Sequence, residues 1–263
     1  MENNVNKKFI TTKKMFLISA VVAVLSCTAT YFVTEKHFET KSEKTDNKNT
    51  SIETLYSDAV SDAMTIEENE FHELVNIDEN SDMVTINEDN GKVLMLTYNN
   101  YPESYVPQTE FKCQYGEVWV FTDKEIINWY NDNKNGVTDW SLRLNQLLGL
   151  PADKEYGYVS AFWVNPDDLK RPAYETDITK QIDKNNLKME DDEISEWFND
   201  NIIWSYFDSA YPWTRLGYTY DWADNDTEYG LTEFIVMQDS VVDVEWTKTR
   251  DEFIEWLEQN ISE

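Results

Sequence analysis

The stretch LGYTYDWADNDTEYGLTEFIVMQDSVVDVEWT, residues 216–247, decides the predicted fold. Apolar and polar side chains alternate over residues 216–222, which is typical of a strand with one buried face. Two further apolar runs, residues 231–237 and 241–247, are separated by a short polar turn and predict a hairpin. Since several helix patterns flank these strands, we predict a single mixed α+β domain of antiparallel hairpins with peripheral helices.

Two of the flanking helices are predicted from capping boxes. At each start a hydroxyl side chain is followed three residues later by a carboxylate, so that each can bond the backbone N–H of the other. The pairs are Thr122 with Glu125, and Thr249 with Glu252. The first pair predicts a helix to about residue 131, and the second predicts the last helix of the chain.

The charge is strongly negative and unevenly distributed. The chain has 263 residues, with 51 Asp and Glu, 22 Lys and Arg, and a formal net charge of −29. Because residues 1–33 carry +3 and residues 34–50 carry 0, residues 51–263 carry −32. This charge excludes binding to a nucleic-acid backbone, which needs clustered Lys and Arg. It favours cationic partners, although acidity that only keeps the domain soluble accounts for the same charge.

The N-terminal residues differ from the rest of the chain. Residues 1–14 are a basic segment with four lysines, and they precede the uncharged apolar run MFLISAVVAVLSCTATYFV, residues 15–33. A helix of this length nearly crosses the ~30 Å hydrocarbon layer of a bilayer. We predict an uncleaved membrane anchor. The alternatives are a lipoprotein signal that is lipidated on Cys27 and a cleaved signal peptide.

All three alternatives give the same orientation. Lysines before an apolar span stay on the cytoplasmic side, so the residues after it are predicted to lie outside the cytoplasm, in the periplasm or at the cell surface. Residues 34–50 contain one large apolar residue, Phe38, and are predicted to be a flexible polar stalk. Residues 51–263 are then an acidic, aromatic-rich domain held near a membrane.

Cysteine and histidine are too scarce in residues 51–263 for several kinds of site. Cys113 is the one cysteine and His72 the one histidine of that part of the sequence. An internal disulfide and a zinc site built from Cys and His are therefore excluded. A buried, inert thiol is the expectation for Cys113, because nothing in the spacing supports a Cys113–His72 nucleophile pair.

The densest aromatic cluster lies late in the chain and forms the candidate ligand site. It contains Trp213, Tyr218, Tyr220 and Trp222, with Asp221 among them. Flat rings beside a carboxylate can stack on and hydrogen-bond a sugar, or hold a cation by cation–π contact. The alternative is that these rings are core residues.

The acidic loop that follows is a candidate Ca²⁺ site. Asp224, Asp226 and Glu228 offer oxygens at alternate positions, as calcium loops do. An EF-hand is rejected because Tyr229 and Ile235 stand where that loop needs Gly and Glu. The candidates are therefore an irregular calcium site and a solvated loop.

Glu233 is the candidate catalytic residue, because its neighbours along the predicted strand are apolar. A three-residue hairpin loop sets it opposite Glu245, which gives a carboxylate pair able to share acid and base roles. A two-residue loop sets it opposite Trp246 and leaves one isolated acid. Arg215 and Asp221 are the other possible partners. The alternative is a strand face open to water on which both glutamates are ordinary.

Five sequence blocks resemble a family of bacterial exported proteins of unknown function. They are VWVFT (118–122), LNQLLGLP (144–151), RPAY (171–174), WTRLGYTYDW (213–222) and YGLTEF (229–234). The resemblance covers about the second half of the chain. It implies one coherent domain and a bacterial source, and it implies no activity.

A weaker resemblance is to the glutamate-bearing strand pair of ADP-ribosyltransferase-like toxins. Glu233 fits the second acid of their E-x-E motif, but Leu231 stands at the first position.

From the charge, the apolar span and the aromatic cluster together, we predict an anchored, outward-facing domain that binds a glycan, a cationic peptide or a basic protein. The alternative is a carboxylate-dependent enzyme, glycosidase-like or ADP-ribosyltransferase-like, that uses Glu233.

Overall fold

A computed structural model describes residues 51–208 and 210–261. The predicted anchor at residues 15–33, the stalk at residues 34–50 and Cys27 lie outside the described residues. Over the described ranges the longer helices, α1 to α5, are Ile52–Ala63, Asp123–Asn133, Trp140–Leu147, Ser195–Ile203 and Arg250–Asn260. None of the helices found there is long and apolar enough to cross a bilayer.

The strands of the described chain form one large and one small antiparallel sheet. Strands β1 to β9 are Val93–Asn99, Glu110–Lys112, Val118–Thr122, Tyr158–Val164, Leu169–Lys170, Tyr218–Tyr220, Tyr229–Thr232, Phe234–Val236 and Val241–Thr249. Seven of them form a sheet in the order β2-β9-β4-β1-β3-β8-β5, and β6 pairs with β7. Helices and antiparallel strands in one chain confirm the predicted α+β class.

The two faces of the large sheet have separate cores, because successive strand residues point to opposite sides. On one face, which we call the helix face, Leu94, Leu96 and Phe121 pack with residues of α2, α3 and α5. On the opposite face, Val93 and Met95 pack with residues of β8, β9 and the loops that cover them. Since both faces are covered, every residue of the central strand β1 is buried, rather than every second one.

The predicted hairpin of residues 231–237 and 241–247 is wrong. Strand β8 pairs with β3 and β5, whereas β9 pairs with β2 and β4. Three strands lie between β8 and β9, a separation of about 19 Å in a flat sheet. Only four residues, 237–240, join them, so the sheet must curl to bring these strands together. Glu233 therefore faces neither Glu245 nor Trp246.

The two predicted capping boxes have different outcomes. Thr249 and Glu252 form the reciprocal bonds that open α5, as predicted. At the start of α2, Thr122 makes no capping bond. Glu125 is buried there and instead accepts hydrogen bonds from the Thr232 N–H at 3.0 Å and the Tyr229 hydroxyl at 2.9 Å. A buried carboxylate thus ties α2 to β7 instead of capping its own helix.

Candidate functional site

A cavity opens where two neighbouring strands separate. β1 pairs with β4 along its whole length to Asn99, but it pairs with β3 only at Met95 and Leu96. β3 then turns away from β1 and pairs with β8. Residues 97–99 on one side and residues 117–121 on the other line a cavity of about 570 Å³. This volume lies within the range of small-molecule sites.

The lining of the cavity is mainly aromatic. Eleven rings contribute to it, from segments far apart in the chain: Tyr98, Tyr101, Tyr105, Trp119, Phe121, Tyr156, Trp204, Tyr211, Trp213, Tyr218 and Tyr220. Some are packed core residues, such as Tyr218, and others are open to solvent, such as Trp204 with 57% of its surface exposed. The cavity therefore presents ring faces both at its wall and at its rim.

The charged side chains of the lining are all acidic. Glu117 and Glu233 line the cavity, and no Lys, Arg or His is found among its lining residues. Asn201 adds a polar group, since its buried Nδ2 has no hydrogen-bond partner within the described part of the chain. Such a lining suits neutral or cationic ligands and disfavours anionic ones, because a buried anion needs a positive partner.

Glu233 is buried in the cavity wall. It is 5% exposed, and its Oε1 accepts a hydrogen bond from the Trp213 indole Nε1 at 3.1 Å. No other hydrogen bond from a described residue reaches this carboxyl group. Burial without a positive partner raises the pKa of Glu233 well above its usual range, and the Trp213 hydrogen bond only partly opposes this. The carboxyl group thus favours its protonated form.

The position of Glu233 follows from the topology. It lies between the last residue of β7 and the first residue of β8, where the chain passes from the small sheet to the large one. Its backbone N–H donates to the carbonyl of Gly217 at 3.0 Å rather than to a ladder partner. A residue at this junction lies where both sheets border the cavity.

Three predicted ligand-binding residues line the cavity together. Trp213, Tyr218 and Tyr220 contribute to its wall, beside Glu233. The backbone carbonyl of Trp213 accepts a hydrogen bond from the Tyr206 hydroxyl, which ties the main chain at this residue to the segment that carries Tyr206. The small sheet β6–β7 carries Tyr218 and Tyr220 as residues two apart on one strand. Because residues two apart on a strand point to the same face of its sheet, the alternation in the sequence explains why both side chains line the cavity.

The other two predicted ligand-binding residues do not line the cavity. Trp222 is 2% exposed, its indole N–H donates to the carbonyl of Leu150 at 2.9 Å, and its ring meets Tyr56 edge to face. Asp221 is 1% exposed and forms a bidentate ion pair with Arg143, with N–O distances of 2.9 and 2.5 Å. Both side chains are used in packing.

Arg215 and Glu245 are also outside the cavity lining. Arg215 Nη2 donates to the carbonyls of Ala63 and Met64 at 3.0 and 3.1 Å, so it holds the end of α1. Glu245 lies in β9 and accepts the indole N–H of Trp163 at 2.7 Å. Glu233 is therefore without the predicted carboxylate or guanidinium partner.

The acidic loop is only partly in the predicted arrangement. Asp224 and Asp226 are exposed, whereas Glu228 meets Asp62 and Glu70, with ligand oxygens within 4.8 Å of one another. The hydroxyls of Tyr218 and Tyr220 donate to Glu228 and Asp62 at 3.0 and 2.8 Å. Burial, together with the neighbouring carboxylates, raises the pKa of Glu70 to about 7. Three carboxylates are thus brought together, and they include one of the predicted calcium ligands.

Comparisons with known proteins returned no relative: no family model, no curated protein and no solved structure matches this chain. The likeness to bacterial exported proteins and to ADP-ribosyltransferase-like toxins therefore remains an interpretation of the sequence.

Glu233→Gln is expected to remove a pH dependence of stability. Because the folded state holds the Glu233 proton more tightly than the unfolded state, the parent loses stability as pH rises from about 4.5 towards the raised pKa, by up to about 1.4 kcal/mol per pH unit. The glutamine variant should lose this contribution to the slope, keep those of the other buried carboxyl groups such as Glu70 and Glu125, and be more stable than the parent at alkaline pH. Urea unfolding over a pH series measures it. Glu245→Gln is the control, and an unchanged slope in Glu233→Gln would contradict the burial of this carboxyl.

Proposed function

We propose that residues 51–263 form a ligand-binding domain held outside the cytoplasm, and that its ligand occupies the aromatic cavity. One observation carries this proposal: about 570 Å³ of concave space is lined by eleven aromatic rings and by no basic side chain of the described residues. Ring faces stack on the apolar faces of sugars and attract cations. The ligand is thus neutral or cationic, a glycan or an amine.

The anchor is the second part of the proposal. Residues 15–33 would retain the protein in the membrane, with the lysines of residues 1–14 in the cytoplasm. Intact-mass analysis of the membrane fraction tests this, since a retained span, a lipidated Cys27 and a cleaved product differ in mass. A mature mass that lacks residues 1–33 and carries no lipid would contradict anchoring.

A carboxylate-dependent enzyme is the second candidate, and the burial of Glu233 in a concave wall favours it. A raised carboxyl pKa suits a general acid. Neither Glu245 nor Arg215 lines the cavity with it, so the mechanism would use Glu233 without the predicted partners. An ADP-ribosyltransferase-like reaction is disfavoured further, because its dinucleotide substrate is anionic and the lining is not basic. Ligand binding therefore remains the leading proposal.

Trp204→Ala is expected to weaken ligand binding about two- to thirteenfold, since stacking on one aromatic ring contributes about 0.5–1.5 kcal/mol. Trp204 lines the cavity and is 57% exposed, so its removal should leave the fold intact. Calorimetric titrations with pentylammonium chloride and with neutral oligosaccharides measure the affinity.

Phe207→Ala is the matched control. Phe207 lies three residues later in the same segment, Trp204–Asp208, is 74% exposed and does not line the cavity. Its substitution should leave binding unchanged. Equal losses in the two variants, or no binding of any probe to the parent, would overturn the proposed function.

A further inference from the structure

The cavity has the electrostatics of a cation site. Its two ionisable carboxyl groups, Glu117 and Glu233, lie among eleven rings, and the faces of aromatic rings are electron-rich. The net charge of −32 on residues 51–263 adds a field that concentrates cations around the domain. Ring faces, a buried acid and a negative field all favour the same class of ligand.

An ammonium group of the protein already contacts two of the lining rings. Lys154 Nζ lies 5.8 Å from the ring centroid of Tyr211 and 6.0 Å from that of Tyr156. Both tyrosines line the cavity, whereas Lys154 does not. This distance is that of a cation–π contact. The tyrosines at this side of the cavity thus hold an alkylammonium group of the chain itself.

Glu233 is the acid that an added cation would affect most. Within the described chain, one hydrogen bond from Trp213 satisfies one of its oxygens, and no positive group pairs with it. Burial raises the pKa of Tyr206, Tyr218 and Tyr220, so these neighbouring hydroxyls keep their protons near neutral pH. Glu117 is the other charged group of the lining, and Lys154 and Arg215 lie next to lining or neighbouring rings, Arg215 with its guanidinium 5.3 Å from the ring centroid of Tyr206. Glu125 and Arg171 contact Thr232 and Phe234, the residues on either side of Glu233.

We propose that the ligand of the cavity carries an alkylammonium group, which lies against the aromatic rings with Glu233 as its counter-ion. This inference rests on the proposed function, because it names the chemistry of the ligand for the same cavity. On binding, Glu233 gives its proton to the buffer and the resulting carboxylate pairs with the ammonium group. Binding is therefore linked to proton release.

The test compares charged and neutral probes of one shape. Pentylammonium is expected to bind the parent about thirtyfold more tightly than pentanol, since a desolvated cation–π contact favours the cation. Calorimetry in two buffers of different ionisation enthalpy should show the release of up to about one proton per pentylammonium bound near neutral pH. N-acetyl-lysine methylamide against its norleucine analogue repeats the comparison with a peptide side chain.

Two variants separate the counter-ion from general effects. Glu233→Gln keeps an acceptor for the Trp213 N–H, and it should lower the preference for pentylammonium over pentanol about tenfold and abolish proton release. Lys154→Met removes a competing ammonium group from the rim, so it should raise pentylammonium affinity severalfold and leave pentanol binding unchanged. Lys154 is only partly buried, so the second variant should fold normally.

The outcomes distinguish this inference from the proposed function. Equal affinity for pentanol and pentylammonium, or a Glu233→Gln variant with the parent's preference, would overturn the ammonium ligand while the cavity still binds. The ammonium ligand would also be overturned if neutral oligosaccharides bind more tightly than pentylammonium and Trp204→Ala weakens that binding. This result would favour a glycan as the ligand. Absence of binding by every probe would overturn the proposed function itself.

Discussion

Arg171→Met is expected to destabilise the domain by about 3–5 kcal/mol. The Arg171 side chain is completely buried, and its guanidinium donates to the carbonyls of Val75 and Asp177 at 3.0 Å and to that of Ile178 at 3.3 Å. It also donates to the carbonyl of Lys180. Burial lowers the pKa of Arg171 to about 10, so the group still carries its charge at neutral pH.

The loss of stability arises from the backbone carbonyls that the substitution leaves without hydrogen-bond donors. A buried ion pair can sometimes be replaced by apolar residues without loss, because both partners are removed together. The partners of Arg171 are backbone carbonyls, which no side-chain substitution removes, so methionine leaves them without donors. The segments around Val75 and residues 177–180 should then separate from each other.

Urea unfolding measures the loss, and limited proteolysis locates it. Residues 176–190 should become the earliest cleaved part of the described chain. Lys184→Met, at an exposed position without an ion pair among the described residues, is the control and should change stability by less than about 0.5 kcal/mol. A variant Arg171→Met as stable as this control would contradict the network.

Elements that depend on local sequence were predicted well. The strand predicted from alternation over residues 216–222 is present as Tyr218–Tyr220, and the capping box at Thr249 opens α5. Both follow from residues within a few positions of each other. Thr122 and Glu125 satisfy the same local rule, and α2 begins directly after Thr122 as predicted, but the reciprocal capping bonds do not form. Glu125 instead accepts hydrogen bonds from Thr232 and Tyr229, more than 100 positions away. A tertiary contact overrides the local signal there.

Strand partners and the cavity could not be predicted, because they depend on contacts between distant segments. Residues 237–240 look like a hairpin turn, yet they connect strands with three others between them. The cavity walls come from residues 97 to 233, where β1 and β3 part. Tyr98, Trp119 and Tyr156 carry no signal in the sequence that would place them beside Trp213.

The sequence predicts part of the candidate site. The alternation of side chains over residues 216–222 explains which of the predicted residues line the cavity. Tyr218, Tyr220 and Trp222 share one face if the strand continues, but β6 ends at Tyr220 after a register shift against β7. Trp222 therefore leaves the face that borders the cavity. Glu233 was identified because an acid among apolar neighbours is unusual, and that reasoning needs no knowledge of its partners.

Asp221→Ala is expected to lower the free energy of unfolding by about 3–5 kcal/mol while leaving the affinity of the folded protein for cavity ligands unchanged. The carboxylate is 1% exposed and pairs with both terminal nitrogens of Arg143, which is itself 11% exposed. Asn225 Nδ2 also donates to it at 3.1 Å. Alanine leaves a guanidinium with little access to water and no negative partner.

A double-mutant cycle separates the ion pair from other effects of the substitution. Arg143→Met combined with Asp221→Ala should be less destabilising than the sum of the single changes, because the double variant leaves no unpaired buried charge. Glu258→Ala is the matched control: it breaks the exposed Lys134–Glu258 pair and should change the free energy of unfolding far less than Asp221→Ala does, because water screens an exposed pair. Normal stability of Asp221→Ala together with lost pentylammonium binding would instead identify Asp221 as a ligand contact, as the sequence first predicted.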